Sequence, residues 1–136
     1  MDFSYLLTPF LAWLTAGVLK FIINSFKEKQ LAFSLIGYGG LPSNHSAIVS
    51  SMAALIAIKE GIGHAAFGVA ITVAFIVILD ANSLRLQVGR HAVTINKLAA
   101  GASDHQALRE RMGHTRLEIA AGIGVGIVVA AAVNFI

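Results

Sequence analysis

The sequence predicts an all-α integral membrane protein, a helical bundle with about four transmembrane helices and one amphipathic helix at the membrane interface. Hydrophobic residues make up 57% of the 136 residues and charged residues only 12%, which is about half the charge of an average soluble domain. The mean hydropathy is +0.77, and the apolar residues occur in runs of the length that crosses a bilayer. The length alone predicts one domain over residues 1–136.

Two further totals limit the function. The chain contains no cysteine, so disulfides and thiolate metal ligands are excluded. No other metal-ligand pattern is present, and we expect neither a metal nor a cofactor. The formal net charge is +3. In a membrane protein such an excess marks the cytoplasmic face or attracts anionic lipid, so we expect the membrane, and no nucleic acid, as the partner.

The first span is predicted from Tyr5 to about Phe26, because this stretch is apolar nearly all round. It has no basic residues before it and no clear small-residue cleavage site after it, so we interpret it as a retained span. Lys20 and Lys27 are seven residues apart and share a helical face. They are interpreted either as lysines that extend to the membrane surface or as ligands of an anion.

A polar, turn-forming stretch separates the first two spans. It reads Gly-Gly-Leu-Pro-Ser-Asn-His-Ser-Ala over residues 39–47. Pro42 disfavours helix before it, and Ser43 or Asn44 can cap a helix that starts there. The unpaired N–H groups of that first turn suit an anion, with which His45 could exchange a proton. The alternative is a plain helix start with a histidine on the surface.

The second span is predicted from about Asn44 to Ile58, where serines and alanines provide small surfaces for close helix packing. A turn over residues 59–63 leads into the third span, which is predicted from about His64 to Leu84. The second span is short, and the third contains no charge from Phe67 to Leu79.

Asp80 ends a long uncharged run, where a carboxylate is costly unless it is paired or hydrated. Arg85 lies five residues further on and is the expected partner. The pair is interpreted either as an ion pair at the interface or as part of a catalytic site.

The last third of the chain contains three more predicted helices. Residues 84–99 place apolar and polar side chains on opposite faces, which predicts an amphipathic helix at the interface. A capping-box pattern at residues 103–106 predicts a short helix through Met112, which Gly113 ends. The fourth span is predicted over about residues 115–136. Its small-residue packing face is expected from Gly122, Gly124 and Gly126.

The charge distribution predicts both the orientation and a site. Nine of the ten Lys and Arg residues fall near the links between spans one and two or between spans three and four, and the positive-inside rule makes that side cytoplasmic. Spans two and four both begin there, so His45 and His114 each lie at or next to a helix N-terminus on one face. The same layer is reached by Lys20, Lys27, Asp80, Arg85 and Arg109. Histidines, cations and helix N-termini that converge in this way predict a site for a phosphate group.

His114 and Glu118 are four residues apart, so a helix that begins at His114 would place them within hydrogen-bonding reach. A histidine held in this way presents its other nitrogen as a nucleophile, and a second histidine can protonate the leaving alkoxide. The alternative for Glu118 is a capping box with Thr115. The sequence leaves both interpretations open.

At these residues the chain resembles a known family. The Pro-Ser-Asn-His of residues 42–45 is similar to the Pro-Ser-Gly-His motif of the type 2 phosphatidic acid phosphatases, which share their site with bacterial acid phosphatases and vanadium haloperoxidases. Residues 39–47, the segment 80–89 and the Leu-Arg-Glu-Arg-Met-Gly-His-Thr-Arg-Leu-Glu of residues 108–118 together resemble the small divergent branch of that superfamily. The resemblance covers most of the chain.

The resemblance implies one membrane-embedded, phosphatase-like domain that hydrolyses a lipid phosphate without a metal. It implies that His114 is the nucleophile and forms a phosphohistidine, that Glu118 orients it, and that His45 is the general acid. The phosphate-binding residues that it implies are Lys20, Lys27, Ser43, Asn44 and Arg109. Asp80 and Arg85 are candidates for supporting positions around these residues.

Three positions depart from the pattern of the wider family. Asn44 stands where that family has glycine, and Glu118 stands where it has aspartate. Arg109 lies five residues before the second histidine, where the family has its arginine at six. Of the roles that the resemblance implies, these differences affect most the assignment of the phosphate-binding cations.

Two other functions remain open at this point. One is a non-catalytic membrane protein that binds anionic lipid or assembles as a helical homo-oligomer, which needs no histidine pair. The other is a metal-dependent phosphoalcohol transferase built on Asp80, Asn82 and Arg85, where one acidic residue is a poor supply for two-metal chemistry. We expect the lipid phosphatase, in a bacterial inner membrane and with its site on the cytoplasmic face.

Overall fold

The computed structural model describes residues 2–28, 40–101 and 106–136, and within these residues it contains helices and no β-strand. The helices are α1 (Ser4–Glu28), α2 (Asn44–Lys59), α3 (Ala65–Asn82), α4 (Leu84–Leu98) and α5 (Arg116–Asn134). This confirms the all-α prediction. The features predicted over residues 29–39, which include Gly39, lie outside the described residues.

The helix α2 is the centre of the bundle. It packs against α1, α3 and α5, while α1 also contacts α5 and α3 contacts α4. Serines can be buried in α2 because their hydroxyls donate to carbonyls of the preceding turn. Ser50 Oγ donates to Ser46 O at 2.6 Å, and Ser51 Oγ donates to Ile48 O at 2.8 Å. These small side chains let the neighbouring helices approach the α2 backbone.

Two glycines of α5, one turn apart, pack directly on α2. A Cβ atom at Gly122 would collide with the backbone oxygen of Ser43. A Cβ atom at Gly126 would collide with the hydroxyl of Ser50. Gly124 was predicted to share this face, but nothing lies within 4 Å of its Cβ position. That prediction is wrong because residues two apart point to nearly opposite sides of a helix, whereas residues four apart share a face.

At one end of the bundle the start of α1 is tied to the end of α2. Lys59 Nζ forms an ion pair with Asp2 Oδ2 at 2.7 Å and donates to Ser4 Oγ at 2.7 Å. The Tyr5 hydroxyl donates to Glu60 Oε1 at 2.5 Å. The hydrogen bond from Lys59, followed by those of Ser4, holds the pKa of the Asp2 carboxyl well below its usual value. The end of α1 and the start of α2 therefore lie at the opposite end of the bundle.

The number of spans differs from the prediction. Three stretches of the described residues are long and apolar enough to cross a membrane, namely Ser4–Lys27, Ala65–Leu98 and Arg116–Asn134. The missing one is the predicted second span, which corresponds to α2 and has 16 residues. It reaches about 24 Å at 1.5 Å per residue, which is less than a hydrocarbon layer of roughly 30 Å. The neighbouring helices bury its serine and alanine face instead.

The short helix predicted to end at Met112 is absent from residues 106–112, which form no regular secondary structure; its predicted start at 103–105 lies outside the described residues. The side chain of Asn96 in α4 holds this link. Asn96 Nδ2 donates to Leu108 O at 2.8 Å, and Asn96 Oδ1 accepts from the Leu108 N–H at 2.8 Å. The helix prediction is wrong because a side chain satisfies the backbone groups that a helix would pair internally.

The helix α4 follows α3 after a single residue and covers this link. It buries Gly89 and Ala92, and a Cβ atom at Gly89 would lie only 2.6 Å from the backbone oxygen of Glu110. The side chains of Leu84 and Leu98 are 61% and 83% exposed. The outer face of α4 is thus apolar surface of the kind that lipid covers.

Candidate functional site

Two histidines from different helix starts face each other at one end of the bundle. His45 lies in the first turn of α2, and His114 directly precedes Thr115, the N-cap of α5. The centroids of their rings are 6.3 Å apart, with 55° between the ring planes. His114 is 6% exposed. A group of a few atoms between the rings could contact both of them.

His114 is held on two sides. Its Nδ1 atom lies 3.2 Å from Glu118 Oε2, and its backbone N–H donates to Ala81 O at the end of α3 at 3.0 Å. Burial lowers the pKa of His114 below its ordinary value. The hydrogen bond and charge of Glu118 act in the opposite direction, while the charges of Lys20 and Arg85 lower the pKa further. His114 is therefore neutral near pH 7, with Nδ1–H donating to the carboxylate and Nε2 carrying a lone pair.

The two interpretations of Glu118 that the sequence left open are both realised. The Thr115 N–H donates to Glu118 Oε2 at 2.9 Å, and the Glu118 N–H donates to Thr115 Oγ1 at 3.2 Å, which completes a capping box. The same oxygen, Oε2, accepts from His114. One carboxylate oxygen therefore starts α5 and orients the imidazole.

His45 is in contact with the arginine that follows α3. Arg85 Nη1 lies 3.3 Å from His45 Nε2, and Arg85 Nε donates to Asp80 Oδ2 at 2.7 Å. A guanidinium can only donate, so His45 Nε2 is the acceptor of this contact. The proton of the neutral ring is then on Nδ1, which is buried and has no hydrogen-bond partner among the described residues.

Ser43 and Asn44 directly precede His45 at the start of α2. Ser43 is fully buried; its N–H donates to Glu118 O at 2.9 Å, which joins the starts of α2 and α5. Its hydroxyl oxygen accepts from Ser46 N at 3.3 Å and from Ser46 Oγ at 3.0 Å. Asn44 Oδ1 is buried without a hydrogen-bond partner among the described residues. Ser43 therefore organises the first turn of α2, and Asn44 contributes an unsatisfied acceptor.

The structure does not bring all of the predicted cations together. Lys20, in α1, is partly buried and close enough for its charge to act on His114. Lys27 is exposed in the last turn of α1. Arg109 is exposed on the link between α4 and α5, where its Nε donates to Arg111 O at 3.3 Å. Arg85, predicted only as a supporting residue, contacts His45.

Two features of the site were not predicted from the sequence. One is the contact of Arg85 with His45. The spacing from Asp80 to Arg85 predicted the ion pair between these two residues but not this neighbouring contact. The other is the backbone bond from His114 to Ala81 O, which has no signal in the sequence because any residue type can make it. Within the described residues, no group of three or more His, Asp or Glu side chains is arranged to hold a metal ion.

The chain is similar to known proteins over most of its length. The model of the family described as "Divergent PAP2 family" matches residues 1–129. A similar protein is the "Uncharacterized membrane protein YuiD" of Bacillus subtilis (strain 168), which is 31% identical over an alignment of 139 residues. The alignment covers 90% of this chain and 88% of the relative. No solved structure matches the chain. The family match confirms the resemblance inferred from residues 42–45 and 108–118, and the chain belongs to the Divergent PAP2 family.

Proposed function

We propose that the protein is a metal-independent membrane phosphatase that hydrolyses a phosphomonoester of a lipid through a phosphohistidine on His114. The observation that carries this proposal is the pair of histidine rings, whose centroids are 6.3 Å apart. Glu118 orients the ring of His114, and Arg85 contacts the ring of His45. Membership of a phosphatase-related family supports the reaction class. The charge and the geometry of these residues support the individual roles.

In the first step the lone pair of His114 Nε2 attacks phosphorus while the bond from phosphorus to the ester oxygen breaks. Glu118 favours this step because its hydrogen bond to Nδ1 orients the ring and stabilises the charge that develops on it. The departing alkoxide takes a proton from His45. In the second step water attacks phosphorus while the bond from phosphorus to His114 Nε2 breaks; His45 takes a proton from that water, and inorganic phosphate leaves.

The residues around the two histidines balance the negative charge of the transferring phosphoryl group. The N-termini of α2 and α5 both open at the site, and unpaired N–H groups there favour an anion. Lys20 and Arg85 supply positive charge. Preorganised donors of this kind stabilise the transition state of phosphoryl transfer without needing a metal.

The lipid part of the substrate fits the location of the site. The helices around it expose large apolar side chains such as Leu19, Ile76 and Leu84, so an acyl chain can remain in the bilayer while the headgroup reaches the histidines. The excess of basic residues at this end supports a site on the cytoplasmic face of a bacterial inner membrane under the positive-inside rule.

The test is release of inorganic phosphate by the purified protein in detergent, with a panel of lipid phosphates and with and without a chelator. We expect release that survives chelation and is lost in His114→Ala. Absence of release from every substrate would favour a non-catalytic, lipid-binding protein. Release that needs a divalent metal would contradict the histidine mechanism.

A further inference from the structure

We propose that Arg85 is a phosphate-binding residue of this site, positioned by Asp80, and that it moves its hydrogen bond from His45 to the phosphate when substrate binds. This inference rests on the proposed function. It assigns to Arg85 the contact that the sequence pattern assigned to Arg109, and it gives Arg85 a second task, because its departure from His45 allows that histidine to become the acid.

Arg85 lies where its guanidinium can reach a bound phosphate. Its Nε donates to Asp80 Oδ2 at 2.7 Å, and its Nη1 lies 3.3 Å from His45 Nε2. A guanidinium has five N–H donors, so this arrangement leaves further donors at the site. The side chains of Arg85 and Asp80 are 35% and 31% exposed, so a ligand can reach the guanidinium. The charge of Arg85 also lowers the pKa of His114, which places it near both histidines.

Asp80 gives the guanidinium a fixed orientation. An arginine binds phosphate best when its planar fork is held in one direction. The bond from Nε to Asp80 fixes one edge of the guanidinium and leaves Nη1 in contact with His45 Nε2. The backbone of the nucleophile is anchored one residue after Asp80, where the His114 N–H donates to Ala81 O at 3.0 Å. The corner between α3 and α4 thus positions the cation and the nucleophile together.

The contact of Arg85 with His45 also controls a proton. A general acid must carry the proton that it donates. While Arg85 donates to His45 Nε2, that nitrogen cannot hold a proton, because the contact would join two donors. A bound phosphate offers oxygen acceptors to the guanidinium and brings negative charge to the ring. His45 Nε2 is then released and takes a proton from solvent, so the acid is charged only when phosphate is present.

The first experiment measures binding of orthovanadate, a phosphate analogue, to the purified protein in detergent. We expect Arg85→Gln to bind about 10- to 100-fold more weakly, the usual loss when a charge-assisted hydrogen bond is removed. Arg85→Lys keeps the charge without the fork and should lie in between. Arg90→Gln removes one exposed charge from the same helix and should bind like the unmodified protein. Orthovanadate binding by Arg85→Gln that equals the unmodified protein would overturn the proposal.

A second measurement needs no substitution at Arg85. The titration of His45 can be followed by NMR of histidine-labelled protein, with the His45 signal identified from a His45→Gln sample. Saturating orthovanadate should move the titration midpoint of His45 to higher pH, and Asp80→Asn should weaken that response. A midpoint that orthovanadate leaves unchanged would overturn the exchange of the hydrogen bond.

These outcomes separate the two proposals. If the unmodified protein binds orthovanadate and releases phosphate while Arg85→Gln behaves like it, the phosphatase stands and the role of Arg85 is wrong. If the unmodified protein neither binds orthovanadate nor releases phosphate, the phosphatase itself is wrong, and the role of Arg85 fails with it.

Discussion

Glu118 Oε2 accepts a hydrogen bond from His114 Nδ1 at 3.2 Å while the same oxygen caps the helix that begins beside it. The carboxylate therefore couples the orientation of the proposed nucleophile to the start of α5. Truncation of the Glu118 side chain would change both, so the two effects need separate controls.

Glu118→Gln should lower the rate of phosphate release by about 10- to 100-fold, the usual cost of losing an orienting partner. Glutamine also serves in a capping box, so the start of α5 should persist. Thr115→Ala is the matched control: it removes the cap hydroxyl, should cost about 1 kcal/mol of stability, and should leave most of the activity. Equal losses of activity in both variants would mean that Glu118 acts only through the helix.

Replacement of His114 and replacement of His45 should impair catalysis in different ways. His114→Ala removes the attacking atom, so no phosphoenzyme forms with any substrate. His45→Ala removes the proton donor, which typically contributes about a hundred- to ten-thousand-fold. Nitrophenyl phosphate, whose leaving group hardly needs a proton, should therefore partly rescue His45→Ala and not His114→Ala. The unmodified protein must first accept this substrate, and full turnover by both variants would refute the mechanism.

The pH dependence of kcat/KM reports the free protein, and its acidic limb should reflect His114. Burial lowers the pKa of this histidine from the ordinary 6.5, and the nucleophile must be neutral. Activity should therefore persist below pH 6.5 and disappear only as the pH falls through the lowered pKa of His114. Glu118→Gln removes an influence that raises this pKa, so its acidic limb should lie at still lower pH. An acidic limb above pH 6.5 in the unmodified protein would contradict the conclusion that burial is the main influence on the pKa of His114.

The packing of α5 on α2 can be tested with alanine. Gly122→Ala and Gly126→Ala each place a methyl group against the α2 backbone or Ser50, and overpacking of this kind typically costs about 1–3 kcal/mol. Gly124→Ala is the control, since its Cβ position is open and alanine favours helix. Unfolding of the three variants in detergent should rank Gly124→Ala as the most stable. Equal stability of all three variants would refute the close packing of α5 on α2.

The orientation can be measured because the chain contains no cysteine. We expect a cysteine placed at Arg109 to react with an impermeant reagent only from the cytoplasmic side. A cysteine at Lys59 should react only from the other side, because the ion pair of Lys59 with Asp2 lies at the opposite end of the bundle from the histidines. The reverse pattern would invert the proposed topology and leave the pairing of the histidines untouched.

Much of the fold follows from hydropathy alone. The runs that form α1 and α5 are long and apolar, so their existence and approximate ends were predictable. The central position of α2 was not, because its small residues suit a lipid-facing helix pair as well as a buried helix. The packing of α1, α3 and α5 around α2, with Gly122 and Gly126 in direct contact with it, distinguishes these cases.

The site was predictable where it depends on helix starts. Alternating spans place the N-termini of α2 and α5 at one end, so the order of the spans along the chain is enough to pair His45 with His114. The choice between Arg85 and Arg109 could not be made in this way. It depends on the non-helical link that Asn96 holds through the backbone of Leu108, and a side chain that replaces helical hydrogen bonds leaves no periodic pattern in the sequence.

The bond from the Ser43 N–H to Glu118 O joins main-chain atoms only. Every amino acid except proline supplies the donor, so the bridge does not depend on the hydroxyl of Ser43. Small side chains at position 43 would therefore vary the cap of α2 and keep this link between α2 and α5. Proline at position 43 would remove the donor, and with it the link, while leaving both histidines in the chain.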